Sequence, residues 1–202
     1  MLTIGAKYMD AIEALKTRSS AVKIGEPGPP DDVIATALEA GARAPDHGML
    51  RPWKFIVVRG PALDRLGDAF ARALEIREPG TSAAELERAK QKIFRAPVNI
   101  IVAATVEPDH PKIAEIEQVV SAGAAAQNIT LSLHAQGFGC RWRTGVAAYD
   151  ATVKAALGLK VHDHIVGFLY VGTALSVTPE HTRADHRGFT EVWNSEAGGE
   201  QS

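Results

Sequence analysis

Seven histidines in a 202-residue chain raise metal binding first, because imidazole is the commonest protein ligand for transition metals. The pairs nearest in sequence are His162 with His164 and His181 with His186. Neither has the His-x-x-x-His helical spacing or the Cys/His clustering of a zinc site, so no metal centre is expected. Nucleophilic hydrolysis fares no better, since the chain contains no Gly-x-Ser-x-Gly elbow and Ser19 is followed by Ser20 in a turn. Gly137 and Gly139 suggest a dinucleotide loop, yet a third glycine is missing and the segment follows a helical pattern instead of a strand. What remains is a set of polar turns at the ends of apolar elements: Arg18-Ser19-Ser20, Arg43 with His47, and Trp142-Arg143-Thr144-Gly145. Each arginine alone reads as a surface cation. Together they supply guanidinium and hydroxyl donors suited to one phosphate-bearing cofactor, because arginine contacts an oxyanion in a bidentate way that lysine cannot.

The elements that must position these turns follow from periodicity. Met9, Ile12 and Leu15 share a helical face that ends at Thr17 and Arg18, and Asp31 and Asp32 are placed to cap a second helix over residues 33–42, stopped by Pro45. Residues 53–58 (WKFIVV) read as a strand, residues 62–77 and 83–94 as helices separated by Pro79 and Gly80. The near-continuously apolar run 98–106 predicts a strand buried on both faces at the centre of a sheet. A long helix over 115–136 follows, small on nearly every face around Ser121 to Ala126, which suits the centre of a dimer. Residues 140–144 begin a strand, 150–157 form a short helix, and 165–171 (IVGFLYV) form a strand ended by Gly172. The polar tail recovers Phe189, Val192 and Trp193, which need burial and could find it on a partner; residues 195–202 are expected to be disordered. Residues 1–194 form one domain, with no repeat or low-complexity linker.

Composition limits the partners. A formal charge of −2 offers no basic surplus for a phosphate backbone, and no apolar run approaches the roughly 20 residues of a bilayer span. Nucleic acid and membrane are therefore not expected as partners. A single cysteine, Cys140, cannot form an internal disulfide, in keeping with a cytoplasmic location; it reads first as a small buried hydrophobe, with a reactive or redox thiol as the alternative.

The order of these pieces carries a resemblance. Thr17-Arg18-Ser19-Ser20, the stretch from Gly41 to His47 followed by Arg51-Pro52-Trp53-Lys54-Phe55, the run Ala135 to Gly139, Trp142-Arg143-Thr144-Gly145 and residues 165–173 together resemble the nitroreductase family, and more narrowly its small YdjA-type branch. The match runs in register from about Met9 to Thr173. The resemblance implies an α+β nitroreductase-like fold: a central, mostly antiparallel sheet flanked by helices, with a C-terminal arm on the dimer partner. It also implies a homodimer with FMN at the interface. Thr17, Arg18 and Ser19 would contact FMN from one subunit, Arg43 and His47 from the other, and Trp142, Arg143 and Thr144 would complete the pocket. Thr17 departs from the two basic residues that the family often places before its serine. Residues 132–137 correspond to a nicotinamide-nucleotide contact of this branch, although helix packing accounts for them equally well.

The implied activity is FMN-dependent oxidation of NADH or NADPH with ping-pong hydride transfer to nitroaromatic, quinone or similar small-molecule acceptors. The flavin carries the hydride, so no side chain is assigned as a catalytic acid or base, and the proton comes from water or His47. Alternatives on the same fold are flavin fragmentation, dehalogenation, or flavin binding without turnover.

Overall fold

The most apolar run of the chain becomes the centre of its sheet. A computed structural model describes residues 9–176 and 184–193, and in it strand β3 (Val98–Ala104) is buried along its whole length. β3 pairs antiparallel with β2 (Trp53–Arg59) on one side and β5 (His164–Ala174) on the other. β4 (Gly139–Arg143) pairs antiparallel with the opposite side of β5, and the two-residue β1 (Ile24–Gly25) pairs with the end of β5. The architecture is α+β, with a five-stranded sheet and helices α1 (Ala11–Thr17), α2 (Asp31–Gly41), α3 (Ala62–Arg77), α4 (Ala83–Lys90), α5 (Glu115–Ala135) and α6 (Ala151–Ala156).

The two-residue pleat of β3 divides the core. Ile101 and Ala103 face Phe70, Ile93 and Phe168, whereas Val98, Ile100 and Val102 face Ile34, Ile129 and Leu133. Each face is thereby covered by helices, α3 on the first and α2 with α5 on the second. Ala122, Ala125 and Ala126 are fully buried on α5, so its small middle lets the helix lie close to its own core. Its other side exposes Ile116 and Val120.

Several boundaries differ from the sequence reading. Asp31 and Asp32 fall inside the first turn of α2, where their charge favours the helix N-terminus, while Pro30 holds the cap position without a side-chain bond. The helix expected to reach residue 94 ends at Lys90 and gives way to a single 3-10 turn, Ile93–Arg95. Buried Asn99 fixes that turn, its amide donating to the Ile93 carbonyl at 3.0 Å. Ile12 and Leu15 are exposed and Ala14 is the buried residue of α1, so the first helix does not bury the face its pattern advertised. Gly172 does not end β5. It lies inside the strand because β1 crosses so closely there that a Cβ would sit 2.6 Å from the Gly25 carbonyl oxygen. Phe189, Val192 and Trp193 are exposed, whereas residues 195–202 lie outside the described residues, as does His181.

The loop from Thr105 to Ala114 is tied to α5 by Gln118, which is 2% exposed. Its Oε1 accepts the Glu107 amide at 2.8 Å, and its Nε2 donates to the Glu107 carbonyl at 3.0 Å. Gln118→Ala removes both bonds and leaves a void, so we expect a loss of about 1 to 2 kcal/mol, read as a lower urea midpoint at unchanged slope.

Candidate functional site

Helix α1 ends at Arg18, whose extended backbone (ψ 129°) turns the chain toward the sheet. The chain is then stapled to β4, since the Ala21 amide donates to the Cys140 carbonyl at 3.1 Å and the Arg141 guanidinium donates to the Val22 carbonyl at 3.3 Å. Arg18, Ser19 and Ser20 consequently line a cavity of about 510 Å3, with His134 and Thr130 of α5 and Cys140 and Trp142 of β4. No carboxylate among the described residues lines it. Thr17 is not in that lining. Its hydroxyl lies 2.7 Å from the Glu13 carbonyl, to which it donates, and 2.9 Å from Nε2 of His134, so it orients the loop from behind.

Burial of Cys140 pushes its thiol up to about 12, with Arg18 opposing that shift. The thiolate is therefore absent near neutral pH. The indole of Trp142 donates to the Val166 carbonyl at 3.1 Å and lies flat against Gly167, where a Cβ would come within 2.1 Å of the indole nitrogen. Glycine is required there for the tryptophan to lie down on β5.

Arg143 is adjacent to Trp142 in sequence and opposite to it in space. Cys140 and Trp142 pack into the α5 side of the sheet, and the pleat sends Arg143 to the other, with its guanidinium 6.0 Å from the centre of the Tyr170 ring. Arg143 and Thr144 line a second cavity, of about 380 Å3, over a floor of Phe70, Phe168 and Tyr170. Burial pulls the Arg143 pKa down, and the neighbouring Arg141 and Arg95 add to the shift. The Tyr170 phenol is raised by burial, which keeps it a hydrogen-bond donor at neutral pH.

Arg43 and His47 stand apart from both cavities. Arg43 is exposed in the turn after α2. His47 lines a third, shallower depression with Pro45, Ile116, Glu117 and Val120, and its Nδ1 lies 3.1 Å from Glu117 Oε1. The Glu117 carboxyl is held below its ordinary range by the Ala114 amide first and His47 second. Within one chain, then, Arg18, Ser19 and Trp142 meet, Arg143 and Thr144 meet, and Arg43 and His47 join neither group. His164 is bonded to Glu115 at 2.7 Å, and among the described residues no three His, Cys, Asp or Glu side chains are grouped to hold a metal. No helix among those residues is long and apolar enough to cross a membrane.

Tyr170, Lys92 and Arg95 were not singled out from the sequence, and Ser20, part of the polar turn, was not carried into the FMN contacts that the resemblance implies. The period-2 pattern of β5 does place Tyr170 on the face of Phe168. Lys92 and Arg95 carry no local signal.

The nitroreductase family profile matches residues 25–173. The chain is 40% identical over 167 residues to YdjA of Escherichia coli K12, named as an NAD(P)H nitroreductase, covering 82% of this chain and 88% of that protein. Among solved structures, a nitroreductase-like family protein from Bacillus cereus aligns with a TM-score of 0.78 at 23% identity, covering 93% of this chain and 98% of that one. A Bacteroides fragilis nitroreductase with bound FMN aligns with a TM-score of 0.69 at 21% identity, covering 91% and 99%.

Because the Cys140 thiol is buried and protonated, a thiol reagent at pH 8 should leave the folded protein unmodified and label one thiol after denaturation. Rapid labelling of the native protein would contradict the burial of Cys140.

Proposed function

The chain belongs to the nitroreductase family, and we propose that it is an FMN-dependent NAD(P)H oxidoreductase acting on nitroaromatic, quinone or similar acceptors, as a homodimer with FMN at the interface. The observation that carries this reading is the cavity at the end of α1. Among the described residues it is lined by one guanidinium and four hydroxyls, with no carboxylate, a donor set that suits a phosphate monoester. The residues present therefore fit FMN.

Arg18, Ser19 and Ser20 would hold the phosphate, with Thr17 orienting their loop through Glu13 and His134. Trp142, Arg143 and Thr144, at the end of β4, are assigned to the ring. Arg43 and His47, which lie away from Arg18 in their own chain, are assigned to the site of the second copy. The exposed Ile116 and Val120 on α5 and the exposed Phe189, Val192 and Trp193 support that assembly, because a pair of chains could cover them. FMN supplies the redox chemistry when bound, taking electrons from NADH or NADPH and passing them to the acceptor in alternating half-reactions. The protein's own contribution is electrostatic and steric. Arg143, held by Tyr170 and partly desolvated, sets a fixed positive charge that would offset negative charge gained on reduction. Trp142 walls the other face, fixed by its bond to Val166. A cytoplasmic setting belongs to the same proposal, since the reaction draws on NAD(P)H.

Purified protein should be yellow and should bleach on anaerobic addition of NAD(P)H. Arg18→Ala removes the one guanidinium that the described residues contribute to this cavity, and we expect FMN affinity to fall by about tenfold to hundredfold. Unchanged FMN content in that variant would remove Arg18 from the site, and wild-type protein unable to take up FMN would overturn the reading.

A further inference from the structure

The second cavity gathers positive charge at its rim. Lys92, Arg95 and Arg143 line it, and none has a carboxylate within 4 Å among the described residues; Arg77, at its edge, is paired with Glu78 at 3.2 Å. No carboxylate among the described residues lines it, while Glu78, Glu85 and Glu87 line the neighbouring depression on the far side of Lys92 and Arg95. Arg141 stands close enough to Arg143 to add to the repulsion. Such a cluster, in a molecule of net charge −2, sets a local positive potential that attracts anions. The placement is built into the fold, because Asn99 fixes the turn carrying Arg95 and the Tyr170 ring supports Arg143.

Tyr170 adds an independent observation. It is 5% exposed and lines the cavity, yet its hydroxyl makes no hydrogen bond among the described residues. The ring is packed into the floor, and the hydroxyl opens onto the cavity as a donor on the side of Arg143. The floor beneath is aromatic, with Phe70 and Phe168 packed edge to face at 5.4 Å. At about 380 Å3 the space suits a small ring system, near the lower end of ligand-site volumes.

FMN does not discharge the whole cluster on the reading given above, on which the present inference rests. Its phosphate is assigned to Arg18 across the sheet and the charge its ring gains on reduction to Arg143, which leaves Lys92 and Arg95 for another anion. We propose that the cleft selects the oxidising substrate by charge: a planar aromatic bearing a carboxylate or comparable anionic oxygen, its ring on the aromatic floor and its anion facing Lys92, Arg95 and the Tyr170 hydroxyl.

Two measurements on the protein as purified and loaded with FMN test this. In calorimetry at low salt, benzoate should bind about tenfold or more tightly than uncharged benzamide or ring-less inorganic phosphate, weakening as salt rises. Arg95→Glu should abolish that preference, and Tyr170→Phe should reduce it several-fold while retaining the ring. In turnover, kcat/KM for 4-nitrobenzoate should exceed that for its methyl ester, and the ratio should fall about tenfold in Arg95→Ala, mainly through the KM of the anion. Equal binding of benzoate and benzamide, or of phosphate and benzoate, overturns the proposal. So does loss of FMN from Arg95→Ala, which would make Arg95 part of the cofactor cradle. Protein that takes up no FMN sinks the function reading instead, and the benzoate titration then decides the charge selectivity separately.

Discussion

The pleat of β4 is the constraint on which the site depends. Five residues of one short strand must send alternate side chains to opposite faces of the sheet, so Cys140 and Trp142 go one way and Arg143 the other. A single peptide thus serves two chambers of different character. One is hydroxyl-rich and bounded by the loop after α1; the other has an aromatic floor and a cationic rim. The register with β5 holds both in place, pairing Trp142 with Leu169 and Arg143 with Phe168. A slip of one residue would exchange the two surfaces and bring a guanidinium into the core.

The loop carrying Arg18 has little structure of its own and borrows its position from the sheet. Two bonds to β4 fix it, one from the Ala21 amide and one from Arg141, and Thr17 adds a tie to His134 on α5. Strand, loop and helix therefore converge on one cavity wall. At the other end of α5 a comparable economy operates. Gln118 anchors the loop that follows β3, while Glu117 accepts the Ala114 amide and meets His47. A long helix of 21 residues in this way ties together chain segments that are distant in sequence.

Most of the element order was legible because strong periodicity needs no tertiary information. β3 shows its double burial as an unbroken apolar run, and α3 and α5 declare their lengths within a residue or so. Other features were set by neighbours. Gly172 looked like a strand end, yet it is where β1 presses against β5, a contact between segments about 150 residues apart. Ile12 and Leu15 formed a convincing apolar stripe that the chain leaves exposed. Arg18, Ser19 and Trp142, grouped by their motifs, line one cavity because turn and strand end meet there. They could not show that Arg143 diverges from Trp142, because that depends on which face of β4 each occupies. Arg95 was invisible for a related reason: its meaning lies in its nearness to Lys92, Arg143 and the aromatic floor, which only the fold brings together.

The three tryptophans sit in three different optical environments. Trp53 is half-buried at the start of β2, stacked at 6.5 Å on Phe55. Trp142 is hydrogen-bonded at the wall of the cavity beside Arg18, and Trp193 is 93% exposed near the end of the described chain. Intrinsic emission is therefore a composite signal with separable sources. Light from Trp193 reports on whatever covers the tail, light from Trp142 on the contents of the chamber beside it, and light from Trp53 on the integrity of the sheet. Single replacement of each by phenylalanine would turn the native chromophores into three local gauges without attaching a dye.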